Sequence, residues 1–138
     1  MKNARGLSFV AIMIIIAICA IILRIAIEAI VKINVAQNES LARERLKLIS
    51  AALENYAKDH LGAYPTNLSD LIKQNPPYLD KIYISESRIR GYIYECERLE
   101  SSGYTCSATP LSCKVSGKTI YTVSTGNILT AEECSKKE

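Results

Sequence analysis

Residues 7–23 are apolar at every position except Ser8, and apolar residues recur at Ile25, Ile27, Ile30, Val31 and Ile33. A helix rises about 1.5 Å per residue, so about 20 residues cross about 30 Å of hydrocarbon. Residues 7–27 supply that length, with Arg24 near the far edge. Basic residues favour the cytoplasmic side, so Lys2 and Arg5 place Met1 inside and the chain beyond Lys32 outside. Arg24, Glu28 and Lys32 follow at i, i+4, each beside an opposite charge with an arm long enough to snorkel, as in interfacial helix.

The helical pattern continues past this apolar stretch. No Gly or Pro interrupts residues 7–61, and Leu41, Leu48, Ile49, Ala52, Leu53, Tyr56 and His60 return to one face. Glu39, Arg43, Glu44, Lys47, Glu54 and Lys58 occupy the opposite face and read as solvated. One helix of over fifty residues, about 80 Å long, is expected. Gly62 is placed to cap its C-terminus and Pro65 to prevent continuation. Beyond it, Thr66 can cap a short helix carrying Leu68, Leu71 and Ile72.

Alternating apolar and polar positions predict strands over residues 92–96, 104–109 and 119–123, and a weaker one over 127–129. Ser101-Ser102-Gly103 and Ser124-Thr125-Gly126-Asn127 are turn material between them. An antiparallel meander results, and its apolar face requires cover from Leu48, Ile49, Ala52, Leu53 and Tyr56. The expected fold class is therefore α+β: a long N-terminal transmembrane α-helix packed at its outer half on a small antiparallel β-sheet. Residues 7–33 form the transmembrane part, 34–61 the outer amphipathic half, and 62–138 the sheet-bearing head.

A length of 138 residues and a formal charge of +3 leave room for one small head and no extended basic surface. Without a basic run or any tryptophan, no nucleic-acid partner is expected. No A-x-A-like site closes the apolar run, and Ile16-Ala17-Ile18 before Cys19 does not fit a lipoprotein site, so Cys19 reads as a small apolar helix residue. Cys96, Cys106, Cys113 and Cys134 all lie in the last third of the chain, where a small extracytoplasmic domain gains from disulfides. Three pairings are possible. A hairpin centred near Ser101 favours Cys96 with Cys106, leaving Cys113 with Cys134. The spacings lack zinc-knuckle character, and neither nucleotide-binding nor hydrolase motifs occur beside the single His60. Neither cofactor nor catalysis is expected, and His60 fits a helix C-terminal dipole partner or core-edge residue.

From Arg5 to Ile18 the chain reads Arg-Gly-Leu-Ser-Phe-Val-Ala-Ile-Met-Ile-Ile-Ile-Ala-Ile. This resembles the start of type IV pilins and type II secretion pseudopilins. The segment Gly62-Ala63-Tyr64-Pro65-Thr66-Asn67-Leu68-Ser69-Asp70-Leu71 is similar to the Gly-x-Tyr-Pro-x-x-Leu-x-x-Leu stretch after the long helix of pseudopilin-like proteins. The segments around Tyr92, Tyr104 and Tyr121 resemble the strands of small pilin-like heads. The resemblance implies a leader of residues 1–6, prepilin peptidase cleavage between Gly6 and Leu7, and N-methylation of Leu7. It also implies an inner-membrane location with a periplasmic head, and as partners other pilin-like subunits, the peptidase and the inner-membrane assembly machinery. The head cysteines would then be exported, and calcium binding, known in some pseudopilin heads, is not expected because the loop over 111–118 has no Asp or Glu. Two positions depart from the family: Ala11 stands where Glu is usual, and Glu28 where a mid-helix Pro is common. The Ala11 departure implies a minor or tip subunit of a pilus or secretion pseudopilus. The alternative is an unassembled single-pass membrane protein with a binding head.

Overall fold

A computed structural model describes residues 8–81 and 89–135. The chain divides into two compact units between Ile33 and Asn34, although helix α1 (Phe9–Asp59) carries the backbone through both.

In the first unit, α1 keeps its apolar side chains exposed. Its most apolar 18-residue window has a mean hydropathy of 3.1 and none of it is buried. By length and composition this stretch can cross a membrane. Arg24 Nε lies 3.7 Å from Glu28 Oε1 across one turn, with both side chains well exposed. Such a pair contributes little to stability.

In the second unit, α1 buries Val35, Ala42, Leu46, Ile49, Ser50, Ala52, Leu53 and Ala57. The spacing of Ala42, Leu46, Ile49, Leu53 and Ala57 traces one stripe of a 3.6-residue helix. Leu48, expected in this face, is 47% exposed, because it lies about 100° around the axis from Ile49. Leu46 takes the core place instead and is fully buried. Two residues read as solvated are engaged with the head: Glu39 accepts from the Lys118 amide and Glu54 accepts from the Gly126 amide, each at 2.7 Å.

The C-terminus of α1 also differs from expectation. The Gly62 amide donates to Ala57 O at 2.7 Å, the 6→1 bond of a Schellman motif, which puts Leu61 at the left-handed position (φ 57°). Regular helix therefore ends at Asp59, and Gly62, also at positive φ, stands one place beyond the cap assigned to it. His60 Nδ1 lies 2.8 Å from Tyr56 O, and its ring stacks on Tyr56 at 3.8 Å.

The short helix α2 (Asp70–Lys73) buries Leu71. Asn67, not Thr66, organises its start: Asn67 Oδ1 accepts from the Ser69 amide at 3.0 Å and the Ser69 hydroxyl at 2.7 Å. An Asx turn so formed competes effectively with a hydroxyl cap.

Strands β1 (Tyr92–Glu100), β2 (Gly103–Pro110), β3 (Thr119–Ser124) and β4 (Ile128–Glu133) form one antiparallel sheet in sequential order. β1 runs four residues past the expected Cys96 because the register shifts between Cys96 and Arg98. The extra residue breaks the alternation that sequence periodicity relies on. Tyr92, Tyr94, Tyr104, Cys106, Ala108, Tyr121 and Val123 turn to one face and form a single core with Ala42, Leu46, Ile49, Ala52 and Leu53 of α1. Leu71 and Leu79 complete that core. The chain is thus α+β, with the outer segment of α1 packed on a four-stranded antiparallel sheet.

Leu61 occupies a backbone conformation that penalises a Cβ, and its side chain is fully exposed. Leu61→Gly is expected to stabilise the head by about 0.5–1 kcal/mol, measured by denaturant unfolding. A loss of stability would show that the Leu61 side chain has an interaction of its own.

Candidate functional site

The expected cleavage residues Gly6 and Leu7 lie outside the described residues. Ser8 opens the helix, its carbonyl accepting from the Ile12 amide at 3.1 Å. The first turn of α1 carries no acidic side chain, as Ala11 implies. Free Cys19 is exposed among apolar neighbours on α1.

The four head cysteines form two disulfides, and the favoured pairing holds. Cys96 lies directly opposite Cys106 in the β1–β2 register, with Cα atoms 3.9 Å apart. Cys113, in the loop after β2, joins Cys134 just beyond β4 at a Cα separation of 5.8 Å. The second bridge ties the last strand to a loop that α1 also holds. Asn38 Nδ2 donates to Ser116 O at 3.0 Å, beside the contact of Glu39 with the Lys118 amide. Gly117 fits beneath the Tyr92 ring, where a Cβ would collide with the phenol. The Tyr92 hydroxyl in turn donates to Thr119 O at 2.8 Å.

Sequence periodicity missed the polar centre of the head, which forms around Glu54. Its Oε1 accepts from the Tyr104 hydroxyl at 3.0 Å and the Gly126 amide at 2.7 Å, and both carboxylate oxygens lie within 3.2 Å of the Tyr64 hydroxyl. Ser50, fully buried, lies 2.7 Å from the Tyr104 hydroxyl and donates to Asn127 Oδ1 at 2.7 Å. Gly126 and Asn127 both adopt positive φ in the β3–β4 turn. The turn is therefore gripped by α1 through one amide and one side chain. With its oxygens shared among these donors, Glu54 acts as a structural acceptor. The only sequence signal was the i, i+4 spacing of Ser50 and Glu54 beside the apolar stripe.

The strand tyrosines are core residues. Burial pushes the Tyr104 phenol up to about 12, with the Ser50 contact opposing and Glu54 reinforcing the shift. Burial also raises Tyr92 and Tyr94 above the ordinary phenol value, and raises Tyr64 together with its Glu54 contact. Among the described residues no group of three or more His, Cys, Asp or Glu side chains is placed to hold a metal ion.

These features define a disulfide-bonded antiparallel head on the end of an apolar helix. Compared with protein-family models, curated proteins and solved structures, the chain matches none.

Glu54→Ala removes the acceptor shared by Tyr104 and Gly126. It is expected to destabilise the head by about 1–3 kcal/mol in denaturant unfolding of the oxidised protein. An unchanged midpoint would show that water replaces the carboxylate without cost. The raised phenols also set an alkaline limit. A folded-state value above the unfolded one near 10 contributes stability that is complete below about pH 10. For Tyr104 that stability is lost as pH rises toward about 12. Tyrosinate absorbance and near-ultraviolet circular dichroism should therefore change together in that window. Full phenol ionisation near pH 10 in a still-folded sheet would contradict the assignment.

Proposed function

We propose that the chain is a non-catalytic pilin-like or pseudopilin subunit of a type IV pilus or type II secretion system. In this reading it is exported and cut between Gly6 and Leu7 by a prepilin peptidase, then methylated at Leu7. It is held in the inner membrane by residues 7–33, with the N-terminus cytoplasmic and the disulfide-bonded head periplasmic. Assembly machinery in that membrane then packs it helix-to-helix with other pilin-like subunits into an extracytoplasmic filament.

The observation that carries this reading is α1. Its first part presents apolar side chains on all sides, while the same helix goes on to supply Ala42, Leu46, Ile49, Ala52 and Leu53 to the head's core. Such a helix needs hydrocarbon or neighbouring helices around it. The Arg5-Gly6-Leu7-Ser8 sequence before it supports processing by a peptidase that needs a small residue at the cut. The lack of an acidic side chain in the first turn favours a minor or tip position. A carboxylate there would neutralise the N-terminal amine of a subunit already assembled, and a half-made buried pair is costly. A subunit at the tip has no earlier amine to pair with.

The mass of the mature N-terminus tests the reading: a chain beginning at Leu7 supports it, and an intact Met1 favours an unassembled single-pass protein with a binding head. Gly6→Leu is expected to leave the uncut precursor in the membrane. A mature mass unaffected by that substitution would reject peptidase processing.

A further inference from the structure

Among the described residues, four that are not glycine adopt positive φ: Leu61, Arg90, Lys114 and Asn127. Asparagine tolerates this conformation, but a leucine or an arginine held there is a standing cost, and such an outlier points to a use for the side chain. Leu61 and Arg90 mark opposite ends of the outer segment of α1.

Leu61 projects from the C-terminal cap. At 103% it is the most exposed large hydrophobic residue described, against 64% or less for any other beyond Ile33. It follows Asp59, which accepts from the Tyr78 hydroxyl, and it sits at the negative end of the helix dipole. Lys58, the nearest cation on α1, lines a separate cleft with Glu54, Asn55 and Gly126. His60 is engaged with the Tyr56 carbonyl and ring. The protrusion is therefore apolar with a negative surround.

Arg90 shares a tight turn with Gly91, closed by mutual amide-to-carbonyl bonds of 3.1 Å between Ile89 and Tyr92. Two-residue turns at positive φ favour Asn, Asp or Gly at the first place, where this chain has arginine. The turn is pressed on the start of the head: a Cβ at Gly91 would lie 2.7 Å from Ser116 Cβ and 3.2 Å from Asn38 Nδ2. Arg90 thereby lines, with Gln37, Ser40 and Leu41 of α1, an open cleft of about 370 Å³. Half-buried Leu41 gives this cleft an apolar floor, and Arg90 is its one charged residue among those described. An apolar cavity of about 150 Å³ already admits a benzene-sized group, so an isobutyl group has room here.

We infer that Leu61 of one copy seats in the Gln37–Leu41–Arg90 cleft of a second copy of this chain, with Arg90 against the Asp59 end of α1. Ser40 and Asp59 are nineteen residues apart on one helix, about 28 Å, so Leu61 does not reach the cleft of its own copy. A protrusion and a complementary cleft at opposite ends make a heterologous contact, which leaves one of each free for a further copy. All of these residues lie beyond Ile33, so the contact belongs to the head alone. It rests on the pilin-like reading above for its setting and names one neighbour of the subunit. Because it involves neither Leu7 nor Ala11, copies can follow one another in a short run without the carboxylate that Ala11 lacks. That suits a minor subunit better than a single one at the tip.

The test uses full-length chains carrying Cys19→Ser and expressed as two populations in one membrane. One population has Ala63→Cys beside the protrusion and the other Ser40→Cys in the cleft, both at exposed positions, and a short thiol-specific bismaleimide links them. Ala63→Cys should link to Ser40→Cys severalfold more than to a control population with Thr130→Cys on exposed β4. Adding Leu61→Gly to the Ala63→Cys population should cut the yield severalfold, although that substitution is expected to stabilise the head, whereas Leu61→Met should preserve it. Arg90→Glu in the Ser40→Cys population should also lower the yield, and Arg90→Lys should not. The contact is overturned by a yield no greater than with Thr130→Cys, by a yield that ignores Leu61→Gly, or by adducts of Ala63→Cys with other proteins only. A yield that ignores Arg90→Glu overturns the part given to Arg90. The N-terminal mass of the same samples keeps the two ideas apart. Unlinked chains beginning at Leu7 reject the contact and leave the pilin-like reading standing, while linked chains that retain Met1 support the contact and reject that reading.

Discussion

The head has one sheet and therefore one apolar face to hide. Tyr92, Tyr94, Tyr104, Cys106, Ala108, Tyr121 and Val123 all turn to that face, and the outer segment of α1 is the main element laid over it. A four-stranded meander with an uncovered apolar face would not persist in water. The burial of Ala42, Leu46, Ile49 and Leu53 against these strands is therefore the contact on which the remaining features depend. The turn held by Glu54, the loop held by Asn38 and Glu39, and the two disulfides are arranged around it.

The polar contacts of α1 sit at two levels of that interface. Asn38 and Glu39 hold the loop over 111–118, and Ser50 and Glu54 hold the β3–β4 turn with Tyr104. Each joins the helix to chain far away in sequence, where loop closure is costly. The Cys113–Cys134 bridge spans 21 residues and, on the chain-entropy model, contributes about 3 kcal/mol by restricting the unfolded chain. Cys96–Cys106, closing a shorter hairpin, restricts it less. Covalent and polar ties together compensate for a core too small to hold four strands by apolar burial alone.

The same helix meets two solvents. Up to Ile33 its surface is exposed and, apart from Arg24, Glu28 and Lys32, apolar, and from Val35 onward it is amphipathic with one stripe buried. Such a chain has to divide its hydrophobic surface between a core it makes for itself and an environment supplied from outside. The proposed anchoring and helix-to-helix assembly both follow from that division.

Much of this was legible in the residues, because the features concerned are local. The apolar run, the absence of Gly and Pro over 7–61, the alternation in the strands and the turn residues at Ser101 and Gly126 each act within a few positions. They predicted the long helix, the meander and, through the hairpin, the partnership of Cys96 with Cys106. Where a single position of phase matters, periodicity was a poorer guide. Leu48 and Leu46 differ by about 200° around the helix, and the packing of the sheet alone chose between them. The β1 bulge and the shift of the C-cap from Gly62 to Leu61 are likewise one-residue adjustments made by the surrounding contacts. Glu54 and Glu39 looked solvated because polarity on a helix says nothing about which distant amides will face it. The amides of Gly126 and Lys118 reach them only after the strands between have paired. The local order of apolar and polar residues thus determined the elements, and tertiary closure decided which polar groups those elements would share.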